Sequence, residues 1–236
     1  MIIHSGAPKS NLPRERARYV ATPESEHVRS RLNEPGPGEA IIVYDLEYTA
    51  WEGSLARRWG GEGEYRELVQ IGAVKLENAK DYPEIASFER LCLPQFNPIL
   101  SDYFIGLTGI TNDDLERAGQ PFGQVIADFA ELVGDTGIIA ANGNDVGCLI
   151  ENCGWRGVSM SICEGRTVNL RPLFMAFLDL PVDQTVSSDL PARFGREMEG
   201  AAHTGLADAR AIALALREIR RGGGDRLMPV RKITGG

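Results

Sequence analysis

The sequence predicts a mixed α/β fold, in which a five-stranded sheet carries helices on its faces. Three strand-like segments, 40–47, 68–76 and 85–93, follow one another without a helix between them, and the first is apolar and rich in β-branched residues. That order is typical of an antiparallel meander. After residue 120, two short apolar segments alternate with amphipathic ones, as in a sheet whose strands are joined by helices.

The strands are predicted from short apolar runs. The first, Ala40–Glu47 (AIIVYDLE), is apolar at its start and reaches acidic residues at its carboxyl end. The second and third are Leu68–Leu76 (LVQIGAVKL) and Ile85–Leu93 (IASFERLCL). Two further short runs, Ile138–Ala141 and Val168–Leu170, complete the five strands.

The helices are predicted from their end signals and from apolar periodicity. The segment Thr111–Asp114 resembles a capping box with Asp in place of Glu. The segment 121–133 has Pro121 in its first turn and is followed by Gly134. The last helix has an apolar stripe that would pack on a sheet. Besides 121–133, the predicted helices are Asn144–Cys153, Leu173–Leu178 and Leu206–Arg220.

Length and composition indicate one domain between two flexible segments. The chain has 236 residues, of which 43% are hydrophobic and 25% charged. Residues 1–38 are predicted to be a flexible polar leader, 39–221 the domain, and 222–236 a flexible, basic, Gly-rich tail. Because the sequence contains neither a long apolar window nor a signal-like start, we expect no membrane span and no secretion.

Cysteine usage favours a reducing compartment. The four cysteines, Cys92, Cys148, Cys153 and Cys163, form no CxxC pair and are too few for a disulfide framework. We therefore expect reduced, mostly buried thiols, no structural zinc and a cytoplasmic location.

Charge is distributed unevenly along the chain. The net charge of the whole chain is −8. Residues 1–38 carry a net charge of +2 and residues 220–236 one of +4, so residues 39–219 carry −14. So acidic a domain has no general attraction for phosphates. Binding of nucleic acid would need local arginines, a bound metal or the basic ends. The alternative is that the acidity serves solubility alone.

Two acidic features lie where strands end. Asp45 and Glu47 are two residues apart, so they share one face of the sheet with Cα atoms roughly 6.6 Å apart. That spacing suits two carboxylates on one hard cation, with Asp45 bridging to a second. Asp145 follows the fourth strand through an Asn-Gly turn, at the kind of strand end where ligands collect. The alternatives are a solvated strand end and a favourable charge in the first turn of a helix.

The third feature is His203-Thr204-Gly205-Leu206-Ala207-Asp208, which opens the last helix. His203 and Asp208 would lie about 140° apart around a single helix, so they converge only if His203 precedes it. Gly205 is expected to provide the bend. The other two histidines, His4 and His27, belong to the predicted leader, which leaves His203 as the candidate proton acceptor of the domain.

Together, Asp45-Leu46-Glu47, Asn144-Asp145 and His203 to Asp208 resemble the three exonuclease motifs of the DEDDh superfamily, the ribonuclease-H-like 3′→5′ exonucleases. The resemblance covers about residues 40–220. The segment 107–111 (LTGIT) is similar to the histone-mRNA and RNAi-enhancing exoribonuclease branch, which acts mainly on RNA. Two features depart from the pattern: Tyr48, where a small residue is usual, and the Gly- and Trp-rich insert 51–65.

This resemblance implies a ribonuclease-H-like fold and two Mg²⁺ ions, with Mn²⁺ as a substitute. It assigns Asp45, Glu47 and Asp208 to one ion, Asp45 also to the second, and Asp145 to the pair directly or through water. It assigns His203 the part of general base. The implied partner is the 3′ end of single-stranded RNA or DNA. The residues implied to hold the terminal nucleotide are Thr49, Leu107 and Ile110, although Leu107 and Ile110 could equally be core residues.

Alternatives remain open on the sequence. The chain could be a DNA-directed exonuclease of the proofreading or repair type, or a non-catalytic module with the same fold. The insert combines cations with aromatic side chains, as a surface for single strands would, but a solvated loop is the alternative. The residues concerned are Trp51, Arg57, Arg58 and Trp59.

Overall fold

The structure is a computed structural model that describes residues 21–34, 39–135, 137–159 and 165–222. Its centre is a five-stranded sheet in the order β3-β2-β1-β4-β5. The first three strands are antiparallel neighbours, and β4 and β5 run parallel to β1, which confirms the predicted mixed sheet. The strands are β1 (Ala40–Tyr48), β2 (Leu68–Glu77), β3 (Glu84–Leu91), β4 (Ile138–Ala141) and β5 (Thr167–Asn169).

Helices cover both faces of the sheet. One face packs against α1, α6, α7 and α8, and the other against α4 and α5. In the described part of the chain no helix is long and apolar enough to cross a bilayer. The helices are α1 (Pro23–Leu32), α2 (Asp102–Thr108), α3 (Asn112–Ala118), α4 (Phe122–Val133), α5 (Asp145–Arg156), α6 (Arg171–Leu178), α7 (Leu190–Arg193) and α8 (Gly205–Gly222).

Helix α2 was not predicted, because its seven residues give too short a periodic pattern. It begins after Ser101, whose side chain accepts a hydrogen bond from the N–H of Phe104, and ends at Gly109 in the left-handed conformation. The predicted capping box of α3 is confirmed, since Thr111 and Asp114 cap each other. Leu107 therefore lies in the last turn of a helix and not in a loop.

The prediction that all of residues 1–38 are flexible is wrong for α1. Thr22 and Ser25 form a capping box, and Pro23 occupies the first turn. Val28 and Leu32 are 3% and 1% exposed in the core, where α1 packs against α6 and β5. Because most other residues of α1 are polar, its two buried apolar side chains gave no clear apolar stripe.

The other predictions about the two chain ends concern residues that the structure does not describe. Residues 1–20, 35–38 and 223–236, which hold the rest of the leader and almost all of the tail, are outside the described residues, as is Cys163. Gly222 is an exception, since it ends α8 and does not begin the tail.

The first turn of α8 lies directly on the sheet, because two glycines face each other there. A Cβ on Gly72 of β2 would overlap the backbone of Gly205 and Leu206, and one on Gly205 would lie 2.6 Å from the backbone nitrogen of Gly72. The N–H of Gly205 also donates to Oε1 of Gln70 over 2.8 Å. This contact fixes the position of α8 against β1 and β2.

We expect Gly72→Ala to destabilise the fold, by roughly 1–3 kcal/mol or more, because α8 must move away from the sheet. The free energy of unfolding in urea measures the effect. Gly154→Ala is the matched control: Gly154 is an exposed helical residue with nothing within 4 Å of an added Cβ, so this change should be neutral or stabilising. Equal stability of the two variants would contradict a tight helix–sheet contact at Gly72.

Candidate active site

Strand β1 presents two carboxylates to α8. Asp45 and Glu47 continue the face of Ile41 and Val43, which pack against α8. A register shift between Glu47 and Tyr48 interrupts the pairing of β1 with β2 at this point. Irregularities of this kind reorient side chains at strand ends, and here the pairing changes directly after the second acid.

A third carboxylate comes from α8. Asp208 is 3% exposed, and its Oδ2 accepts a hydrogen bond of 3.1 Å from the backbone N–H of His203. Its own N–H donates to the carbonyl of Thr204, which places Asp208 in the first turn, where the helix dipole favours a negative charge. Ligand oxygens of Asp45, Glu47 and Asp208 all lie within 4.8 Å of one another.

Asp145 lies in the same cleft but outside that group of three. It begins α5 at the carboxyl end of β4, and the parallel pairing of β4 with β1 brings it to the edge of the sheet where Asp45 lies. The cleft has a volume of about 340 Å³ and is lined by Asp45, Glu47, Asp145, His203 and Asp208 among others. The five residues predicted to be catalytic therefore share one cavity.

His203 precedes α8, as the angular separation of His203 and Asp208 requires. The backbone bends at His203 itself and not at Gly205. The φ of His203 is 59°, a left-handed value that is costly for a side-chain-bearing residue. The expected bend at Gly205 is wrong: Gly205 is the first helical residue, and its lack of a side chain serves the contact with Gly72. Within the described residues, the imidazole of His203 has no hydrogen-bond partner, so nothing there holds it as a structural histidine would be held.

The acidic groups disfavour one another's charge. Burial, then Asp208 and Asp145, raise the pKa of Glu47 to about 8. The pKa of Asp45 is raised well above its ordinary value by burial and by the three neighbouring acids. Burial raises the pKa of both Asp145 and Asp208 to about 6, against the lowering effects of Arg171 on Asp145 and of the His203 N–H on Asp208.

The donor set fits divalent cations. Oδ1 of Asp208 is buried and has no hydrogen-bond partner in the described structure, which is costly unless a ligand satisfies it. Oxygens within 4.8 Å of one another can all reach a single ion at the usual bond lengths of about 2.0–2.6 Å. A bound cation would also relieve the repulsion that raises these pKa values.

Three functional side chains escaped the sequence interpretation. Asn142 donates to Oγ of Ser187 over 3.2 Å, and Ser187 donates in turn to Oδ1 of Asp45 over 3.1 Å. The guanidinium of Arg171 donates to the backbone carbonyl of Asn142 and lines the cleft. Since Ser187 is 142 residues from Asp45 and lies outside any periodic segment, no sequence signal could have paired them.

Of the three residues predicted to bind the terminal nucleotide, only one lines the cleft. Leu107 lines the cleft beside Tyr103 and Phe104. Ile110 does not line the cleft; it is 7% exposed and packs with Phe104 and Leu115 in the core, which is the alternative that the sequence left open for it. Thr49 is also buried away from the cleft, because its hydroxyl bonds to the backbone of Tyr65 and Glu67.

Comparison with known proteins gives a consistent result. The family model described as Exonuclease (RNase_T) matches residues 42–216. The 3′-5′ exoribonuclease 1 of Rattus norvegicus is 27% identical over 192 residues, which are 77% of this chain and 53% of the relative. The 3′-5′ exonuclease Snipper of Drosophila melanogaster is 26% identical over 209 residues, 79% of this chain and 71% of its own. The chain thus spans about half the length of the rat relative.

A solved structure shares the fold. The nuclease domain of 3′hExo, described as a DEDDh family member bound to rAMP, superposes with a TM-score of 0.68. The two are 23% identical, and the match covers 84% of this chain and 98% of that domain. The ribonuclease-H-like arrangement expected from the sequence is thereby confirmed.

The raised carboxylate pKa values predict how the metal-free protein responds to pH. Because the pKa of Glu47 rises from 4.5 to about 8, the folded state binds more protons than the unfolded state between these values. The contribution of Glu47 to stability should therefore be fully present below about pH 4.5 and be lost as the pH rises to about 8. The melting temperature in EDTA, measured across this pH range, tests the expectation. Added Mn²⁺ should restore stability near pH 8.

Two glutamate variants separate the site from general charge effects. Glu47→Gln should flatten the pH dependence and reduce the stabilisation by Mn²⁺. Glu131→Gln removes an exposed charge from the last turn of α4, at the opposite end of the sheet, and should retain both. If the two variants behave alike, the carboxylate cluster is not the cause of the pH dependence or of the stabilisation by Mn²⁺.

Proposed function

The chain belongs to the Exonuclease (RNase_T) family, and on that premise we propose that it is a metal-dependent 3′→5′ exonuclease that releases nucleoside 5′-monophosphates from single-stranded RNA. The observation that carries the proposal is the group of carboxylate oxygens of Asp45, Glu47 and Asp208, with the unpartnered Oδ1 of Asp208 among them. A protein that only binds partners has no use for such a group, since it destabilises the fold when empty.

The proposed cations are two Mg²⁺ ions, for which Mn²⁺ can substitute. Asp45, Glu47 and Asp208 would hold one, and Asp45 and Asp145 the other. When bound, the ions would neutralise the charge of the scissile phosphate and acidify the attacking water. They would also let an acidic domain accept a nucleic acid.

The remaining steps belong to the side chains of the cleft. His203 accepts the proton of the attacking water, for which its unengaged imidazole and its position at the cleft suit it. Ser187 orients Asp45 through its hydrogen bond. Leu107 and Tyr103 form an apolar wall against which the terminal base can pack. Arg171 supplies a positive charge at the side of Asp145.

RNA is the proposed substrate class because two of the similar proteins point to it. The rat relative is named an exoribonuclease, and the 3′hExo domain was determined with rAMP. The segment 107–111 also resembles the RNA-directed branch. The free, buried thiols of Cys92, Cys148 and Cys153 support the further proposal of a reducing, cytoplasmic setting.

A direct assay tests the function. Single-stranded RNA and DNA oligomers labelled at the 5′ end should shorten from the 3′ end in the presence of Mg²⁺ or Mn²⁺, with RNA cleaved faster, and EDTA should stop the reaction. Equal rates on RNA and DNA would contradict the proposed preference for RNA but not the proposed exonuclease activity. If neither oligomer is shortened, the enzyme proposal fails.

Substitution of His203 separates proton transfer from metal binding. His203→Asn should lower kcat by roughly 10²–10⁴-fold, the usual contribution of a general base, and leave Mn²⁺ affinity nearly unchanged. Asn is chosen because it tolerates the left-handed backbone at this position. Isothermal titration with Mn²⁺ and single-turnover kinetics measure the two effects.

Asp208→Asn is the matched comparison, since it changes a carboxylate that would bind the metal. Mn²⁺ affinity and rate should fall together, and excess Mn²⁺ should partly restore the rate. Wild-type turnover in His203→Asn would show that another group accepts the proton.

A further inference from the structure

A second depression adjoins the active-site cleft, and we name it the upstream groove. It has a volume of about 330 Å³ and shares Leu55, Trp59 and Arg66 with the cleft. Arg58 and Trp155 line only the groove. The shared residues make the two cavities continuous, so a strand that ends in the cleft can pass into the groove.

Two half-buried tryptophans, Trp59 and Trp155, line the groove, and further aromatic rings adjoin it. Trp59 is held in place by a 2.7 Å hydrogen bond from its Nε1 to the carbonyl of Thr49 and by the ring of Tyr48, 5.4 Å away. Across the groove, Trp155 lies edge-on to Tyr65 and Phe96, with ring centroids at 5.7 and 5.9 Å. Tyr65 and Phe96 are 42% and 41% exposed. Such platforms stack bases without regard to sequence.

Cations accompany the rings. The guanidinium carbon of Arg66 lies 5.5 Å from the ring centres of both Tyr48 and Trp59. The two acidic residues of the groove are neutralised, Glu151 by Arg66 and Glu64 by Arg57. Arg58 is exposed and has no ion-pair partner among the described residues. It is therefore a surplus positive charge in a domain that is otherwise strongly acidic.

The loop that carries these residues is strained. Arg58 and Trp59 are consecutive and both have left-handed backbones, with φ of 55° and 54°. Left-handed backbones are costly for residues that bear side chains, and strain of this kind persists only where the surroundings impose it. Here it directs Trp59 into the cavity wall while Arg58 remains at the surface.

We propose that the upstream groove binds the nucleotides that precede the terminal one, and that Arg58, Trp59, Arg66 and Trp155 determine how much single strand the protein engages. The inference rests on the proposed function. A 3′ exonuclease takes a chain end into its cleft, so the strand can leave only on the 5′ side. Stacking on the rings and the charge of Arg58 would bind bases and backbone without reading a sequence.

Substrate length tests the groove apart from the chemistry. The kcat/KM of the wild-type protein should rise from a dinucleotide through a tetranucleotide to an octanucleotide of single-stranded RNA. Arg58→Glu and Trp155→Ala should each lower kcat/KM on the octanucleotide by about 5- to 100-fold, mainly through KM, and leave the dinucleotide rate unchanged. Arg90→Glu is the matched control: Arg90 is an exposed arginine of β3 that lines neither cavity.

The outcomes distinguish the two proposals. If the wild type hydrolyses every length at the same kcat/KM, or if the groove variants lose the same factor on the dinucleotide as on the octanucleotide, the groove does not bind upstream nucleotides. An equal loss in Arg90→Glu would reduce the effect to overall charge and would also overturn the inference. If no length is hydrolysed, it is the proposed function that fails.

Discussion

The contact between Gly72 and Gly205 is the constraint on which the acidic cluster depends. Only two residues without side chains allow the first turn of α8 to lie against the backbone of β2. Gly72 pairs with Asp45 across the β1–β2 ladder, so the closest approach of helix and sheet occurs beside the first acid. Asp208, one turn into α8, then reaches the carboxylates of β1. A larger residue at either position would separate the acids by moving the helix.

The cluster made possible by this contact is costly to the protein alone. Desolvation raises the pKa of every acid in it, and repulsion between the acids raises the pKa values of Asp45 and Glu47 further. One oxygen of Asp208 also has no partner among the described residues. The backbone of His203 adds strain beside it. These costs share one location, and a bound cation would relieve the repulsion and satisfy the oxygen together. Ion binding as proposed would therefore be coupled to stability through the same side chains.

One wall of the upstream groove, the turn of α5 that bears Trp155, is held by a buried ion pair. Glu67 is fully buried and accepts the N–H groups of Gln95, Phe96 and Asn97, and Arg156 pairs with it from the end of α5. The loop that bears Phe96 and the helical turn that bears Trp155 are thus tied to the start of β2. Breaking the pair would leave a buried charge without compensation, so Trp155 and the neighbouring Phe96 owe their relative position to an interaction outside the groove.

The sequence by itself determined the five strands, most helices and the five catalytic candidates, because each depends on local pattern. Alternation places Asp45 and Glu47 on one face, and the phase of a helix requires His203 to precede α8. What the sequence could not determine were contacts between distant segments: Ser187 with Asp45, Thr49 with the backbone of Tyr65, and α1 on the core. The function of Gly205 is the clearest case. The residue looks like a flexible bend in isolation, but only the tertiary structure, by placing Gly72 opposite it, decides that it is a packing contact and that His203 makes the bend.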